Sequence, residues 1–241
     1  MEVIEQLIDS LQPAQVHDVL VGSFNTVVHT SGCGLASTIR PPMTQQDGLS
    51  NGGNLIGMDL LELAQYALSD NLLNASLGIA AINSAVDSAN LPMKTINARE
   101  LILEKGKGRT LAVIGHFPFI DQIRANFGHT MVFEQAPQGD DLPASDIPAR
   151  LAEADIIAIT ATTLINHTFD DIMAARRPDS YCVLLGPSTP MSPILFRNGI
   201  NAIGGTLVQD MNCVFRMASQ GVPYRKLRGI SHVTVLKEDM N

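Results

Sequence analysis

The residues with the most chemical potential in this sequence sit immediately after short apolar runs. Thr110–Ile114 runs into Gly115-His116-Phe117-Pro118-Phe119, and Thr130–Phe133 ends at Glu134. Asp155–Thr160 leads into Ala161-Thr162-Thr163-Leu164-Ile165-Asn166-His167-Thr168, and Tyr181–Leu185 into Gly186-Pro187-Ser188-Thr189-Pro190. Runs of this length bounded by Gly, Pro and hydroxyl residues read as buried strands, and open parallel sheets bind ligands outside the carboxyl ends of their strands. The imidazole of His116 suits proton transfer or metal ligation. Glu134 stands about 20 residues past the first turn, where doubly wound folds place a ribose-binding acid; a solvated strand-end carboxylate reads equally well there. Thr163 and Asn166 either face a ligand or close a hydrogen-bonded turn. Gly186, Ser188 and Thr189 either offer N–H and hydroxyl groups to an anion or form a stiff proline-bounded turn.

Other chemistries are poorly supplied. A dinucleotide cradle needs three spaced glycines, and only Gly115 is present after the first strand. There is no CxxC, HExxH or GxSxG. Cys33 is flanked by Gly32 and Gly34, which suggests an accessible thiol in a turn, four residues from His29. His116 and His167 lie at neighbouring strand ends where they could converge. Asn83 is an amide within a helix rich in small residues, with a helical phase that suggests partial burial. Thr168 followed by Asp171 has the spacing of a capping box.

The elements that must position these groups divide into two textures. Residues 3–11 have helical apolar spacing and end at Pro13. Val16–Val21 and Asn25–Thr30 form a hairpin around Gly22-Ser23, and Leu35–Ile39 is a third strand ending at Pro41-Pro42. Met43–Gly57 reads as a long polar loop, followed by helices over Met58–Leu68 and Leu72–Ala89. Asn97–Glu104 reads as a connecting helix. Beyond the turn at Lys105–Arg109, strands alternate with helices, which implies a parallel sheet with right-handed crossovers. Helices are expected near Phe119–Phe127, over Ile147–Ala154, from Thr168 to about Arg176 and after Ser192. A last strand region spans Asn201–Ile203 and Thr206–Val208. The fold class is therefore α/β, with a small α+β domain over 1–98 and a Rossmann-like parallel-sheet domain over 99–241.

Composition narrows the function classes. A 241-residue chain buries roughly 70–75% of its unfolded surface and needs no disulfide or metal to fold. A net charge of −8 without a long basic run argues against nucleic acid or an anionic membrane as partner. No stretch reaches the ~18 apolar residues of a membrane helix, and Met1-Glu2-Val3-Ile4-Glu5 is not a signal peptide. With three scattered cysteines, the expected location is the cytoplasm. The 17% charged share suits buried strands and an oligomer interface such as that of a homodimer.

Asn97-Ala98-Arg99-Glu100 with Ala112–Phe119 resembles a signature of the heavy-metal-chelation family, a domain of unknown function. Ile159–Thr168 and Leu184–Pro190 resemble its next blocks, and Gly32–Ala36 with Ala80–Asn83 is similar to its N-terminal part. The resemblance implies an enolase N-terminal-like domain, a Rossmann-like domain and a cleft between them. It further implies a small-molecule or metal ligand, with a divalent or heavy metal ion as the cofactor to consider and Cys33 and His116 as its candidate ligands. Without a dense Cys/His cluster, tight all-protein metal binding is not expected. An enzyme acting on a small metabolite, with or without an adenosine-containing cofactor, is the alternative.

Overall fold

The computed structural model describes residues 2–40 and 48–240. The turn at Pro41-Pro42 and the first part of the loop expected from Met43 lie outside the described residues. Helix α1 (Glu2–Asp9) buries Val3, Ile4, Leu7 and Ile8 on one stripe, as its sequence spacing requires. A three-stranded antiparallel sheet follows: β1 (Asp18–Val21), β2 (Asn25–His29) and β3 (Cys33–Ser37). Strand β3 begins two residues earlier than the sequence suggests, so Cys33 is a strand residue paired with His29 and not part of a flexible turn.

Helices α2 (Leu60–Ala64) and α3 (Leu72–Ala85) cover that sheet, joined by a 3₁₀ turn at Gln65–Leu68. Ten of the fourteen residues of α3 are buried, because it lies between β2 and β3 on one side and the 3₁₀ turn on the other. Only glycine fits at position 78, where a Cβ would overlap the backbone of Ala67. The helix stops at Ala85, and Val86 is already extended.

The second unit starts with α4 (Ala98–Gly106), capped by the Asn97 side chain. Its sheet has the order β10-β9-β8-β7-β4-β5-β6. The strands are β4 (Thr110–Ile114), β5 (His129–Glu134), β6 (Leu142–Pro143), β7 (Ile156–Thr160), β8 (Tyr181–Leu185), β9 (Ala202–Val208) and β10 (Ile230–Leu236). All neighbours are parallel except β10, which runs antiparallel to β9. Between them lie the short helices α5 (Ile120–Ile123), α6 (Ile147–Arg150), α7 (Thr162–Ile165), α8 (Phe169–Ala175) and α9 (Ile194–Arg197), then α10 (Met211–Ser219). The chain goes from β4 to β5 on one side, then crosses back to β7 on the other. That reversal creates a crevice at the carboxyl end of β4.

Alternation along the parallel strands separates the two faces. Leu111, Val113, Ile156, Ala158 and Val183 pack with α4 and α5. Ala112, Ile114, Ile157, Ile159 and Leu184 belong to a larger core that holds α7, α8 and α9 and continues into α1, α2 and α3. The two units therefore share one continuous apolar interior. Polar links reinforce it: Asn198 Nδ2 donates to Gln6 Oε1 at 2.9 Å, and Asn25 Nδ2 to the Val222 carbonyl at 2.9 Å. The outer face of the small sheet, Val27 and Leu35, rests on Val214 and Ala218 of α10. No described helix is long and apolar enough to cross a membrane.

Candidate ligand site at the strand ends

A pocket of about 480 Å³ opens at the crevice where β4, β5 and β7 end. Its floor is made by Ile114, Phe133 and Thr160, the last or penultimate residue of each strand, and its sides by α6 and α8. Gly115 turns the chain out of β4 with φ of 89°, and a Cβ there would stand 2.7 Å from Thr160 Cγ2. The glycine is needed for that left-handed turn and for close approach to β7.

Four of the residues expected from the sequence line this pocket: His116, Glu134, Thr163 and Asn166. His116 is exposed at its rim, and Glu134 is partly buried at the tip of β5. Thr163 is buried, and its hydroxyl donates to the Thr160 carbonyl at 2.7 Å. It closes the turn after β7. Asn166 Oδ1 accepts from the Thr168 N–H at 3.3 Å and the Thr168 hydroxyl at 2.8 Å, which leaves the amide nitrogen as the group able to meet a ligand. Thr168 therefore does not cap α8 with its side chain, and the expected capping box is not formed. Asp171, read from sequence only as part of that box, lines the pocket from α8. Thr160 and Thr162 add a hydroxyl pair 3.0 Å apart. Among the described residues two carboxylates, hydroxyls and an imidazole face this space, with no Lys or Arg in its lining. Such a wall favours a cationic or hydroxyl-bearing ligand and repels a free phosphate.

Cys33, Asn83 and Thr189 are elsewhere. They line a separate hollow of about 250 Å³ between β3, the end of α3 and β9. Burial, and then the Asp18 charge, push the Cys33 thiol up to about 12, so it is neither an exposed nor an activated thiol. Asn83 Nδ2 donates to the Leu35 carbonyl at 2.8 Å. Its Oδ1 and the Thr189 hydroxyl are buried without protein partners. Ser188 is fully buried and accepts the Ser37 N–H at 2.9 Å, so it joins the units and faces neither space. Gly186, with φ of 125°, bonds through its N–H to the Gly204 carbonyl at 3.1 Å.

The two candidate metal ligands, Cys33 and His116, are thus not brought together. His167 does not converge on His116 either: its Nε2 lies 2.8 Å from the Ala67 carbonyl. His29 instead meets His17, their rings 5.2 Å apart. Among the described residues no three His, Cys, Asp or Glu side chains are placed to hold a metal ion. A bare ion fully ligated by protein does not fit this arrangement.

Two family profiles, each described as "Putative heavy-metal chelation", match residues 4–86 and 97–237. A structure from Desulfitobacterium hafniense, a protein of unknown function, is 25% identical with a TM-score of 0.83, covering 98% of each chain. One from Pyrococcus horikoshii, also of unknown function, is 20% identical with a TM-score of 0.82, covering 97% of this chain and 98% of the other. An uncharacterized protein of Methanocaldococcus jannaschii is 28% identical over 164 residues. That match takes in 65% of this chain and spans 63% of the relative's length.

Proposed function

We propose that this chain, which belongs to the unknown-function family described as heavy-metal chelation, binds a small ligand in the strand-end pocket. The observation that carries the reading is the convergence of Glu134, Asp171, His116 and the Thr160–Thr162 hydroxyls on one crevice without an opposing Lys or Arg among the described residues. The family description supplies the class of cargo. Since no three side chains converge for direct ligation among the described residues, the ligand that fits is a metal already held by a small chelator. The carboxylates and hydroxyls would contact the chelator's donors and the net positive charge of the complex.

The test is calorimetric titration of the full chain with Zn²⁺ alone and with preformed cationic zinc complexes of small amines. Saturable binding of a complex, weakened about tenfold or more in Glu134→Gln and Asp171→Asn, is the expected result. Binding of Zn²⁺ alone that is indifferent to both substitutions would overturn the reading.

Glu134 favours a second reading. Its place at the tip of the strand beside β4 suits ribose hydroxyls, and the absence of a glycine-rich cradle restricts the ligand to a nucleoside without a diphosphate. Native mass spectrometry of the purified chain separates the two, since an adenosine-type adduct lost in Glu134→Ala belongs only to the second.

A further inference from the structure

We propose that a second hollow, at the amino end of β5, is a binding site for a small oxyanion, a phosphate- or carboxylate-bearing metabolite. The hollow measures about 420 Å³ and is lined by Arg124, His129, Thr130, Asp140 and Arg150 among others. It lies at the opposite end of β5 from Glu134, roughly 17 Å away along six strand residues. The two spaces are of opposite electrostatic character. In a chain of net charge −8, this hollow gathers two guanidinium groups and an imidazole against one carboxylate.

These side chains are not used by the fold. Neither the Arg124 nor the His129 side chain has an ion pair or hydrogen bond among the described residues. Arg150 has only a loose contact, its Nε 3.8 Å from Glu153 Oε1. Among the described residues Asp140 forms no salt bridge with either arginine, and Arg150 pairs only with Glu153. Arg124 Nε and the Thr130 hydroxyl are buried without partners. Leaving buried polar groups unsatisfied is costly, and an anion seated between the forks would offset part of that cost.

The edge of the sheet adds to the site. Strand β6 pairs only with Phe133 and Glu134, so among the described residues β5 from His129 to Met131 has no paired strand on its outer side. The Phe133 carbonyl accepts from the Gly115 N–H on the β4 side. Alternation then turns the backbone groups of Thr130 toward the open edge. Two planar guanidinium forks beside free backbone groups suit a planar or tetrahedral oxyanion. Asp140 on the same wall selects an anion that also carries a hydroxyl or ammonium group.

Calorimetric titration of the full chain with inorganic phosphate, and separately with L-malate, tests the site. Saturable binding of at least one is expected, and the tighter of the two identifies the anion class. That binding should fall about tenfold or more in Arg150→Gln and in Arg124→Gln. Phosphate binding should tighten in Asp140→Asn, and binding of either anion should stay unchanged in Glu134→Gln, which keeps this site's outcome separate from that of the strand-end pocket. Thermal melting checks that each variant is folded; Arg150→Gln, at the end of a surface helix, carries the test alone if Arg124→Gln does not fold. Failure of both anions to bind the wild-type chain, or binding that survives Arg150→Gln undiminished, would overturn the proposal.

Discussion

The backbone N–H of Ser37 donates to the hydroxyl of Ser188 across 151 residues of sequence, at 2.9 Å. One partner ends the small sheet and the other sits in the loop after β8. Ser188 has no exposed surface, so water cannot replace it. Ser188→Ala would strand a poorly solvated N–H and is expected to lower unfolding free energy by about 1–3 kcal/mol. Urea denaturation measures it, and an unchanged midpoint would show that the N–H finds another acceptor.

Asp155 stands at the entrance of β7, where it accepts the Thr110 N–H at 3.0 Å and Arg177 Nη2 at 2.8 Å. The N–H bond first, and then Arg177, hold its carboxyl below the usual carboxylate range. A folded value below the unfolded value of about 3.9 means that the ion stabilises the fold above that pH. The contribution is lost as pH falls through the folded value. Asp155→Asn should therefore be less stable than wild type at pH 7, with the gap closing as pH falls below the unfolded value of about 3.9. Denaturation midpoints across that range check this, and parallel curves would refute it.

At pH 8 a thiol titrating near 12 has a thiolate fraction roughly a thousandfold smaller than an ordinary cysteine. Cys33 should accordingly resist iodoacetamide in the folded chain and react readily in urea, as peptide mass mapping would reveal. Asp18→Asn removes the nearby negative charge and should speed the folded-state reaction modestly, because burial is the larger cause.

Gly115→Ala places a side chain in a left-handed turn and against Thr160 Cγ2. A loss of about 1–3 kcal/mol is expected, together with weakened ligand binding in the strand-end pocket. Adding Thr160→Ser removes the methyl that collides and should restore part of the stability, leaving the backbone strain. Full restoration would mean that the overlap alone set the cost.

The four central strands were legible because β4, β5, β7 and β8 are buried on both faces and read as short apolar runs. The last part of the large sheet was not. Gly204 and Gly205 look like a break, yet β9 runs through them, since side chains there would strike Leu185 and Met191. Strand β10 and helix α10 likewise lie outside the elements the sequence predicts, although Ile230–Leu236 does alternate. Several expected helices are single turns extended by 3₁₀ geometry, as at Ile120–Asn126 and Ile147–Glu153.

For the site, strand ends located the pocket, because parallel topology alone dictates where such ends gather. The separation of Cys33 and Asn83 from His116 and Glu134 depends on how the two units dock, and spacing along the chain does not encode it. Likewise, Ser188 and His167 look free in sequence and are occupied by partners far away, the Ser37 N–H and the Ala67 carbonyl. Arg124 and Arg150 carry no local motif, and only the open edge of β5 brings them to one hollow.

The antiparallel return of β10 also ties down the segment between the units, through the reciprocal backbone bonds of Lys94 and Thr234, each 2.8 Å long. Thr234 further donates its hydroxyl to the Ile96 carbonyl at 2.9 Å. The joint between the halves thus acquires its partners only after some 140 later residues have been synthesised. During translation the connection must stay loose while the first unit already offers its apolar side, a long-range closure of the kind that slows folding and prolongs exposure of sticky surface.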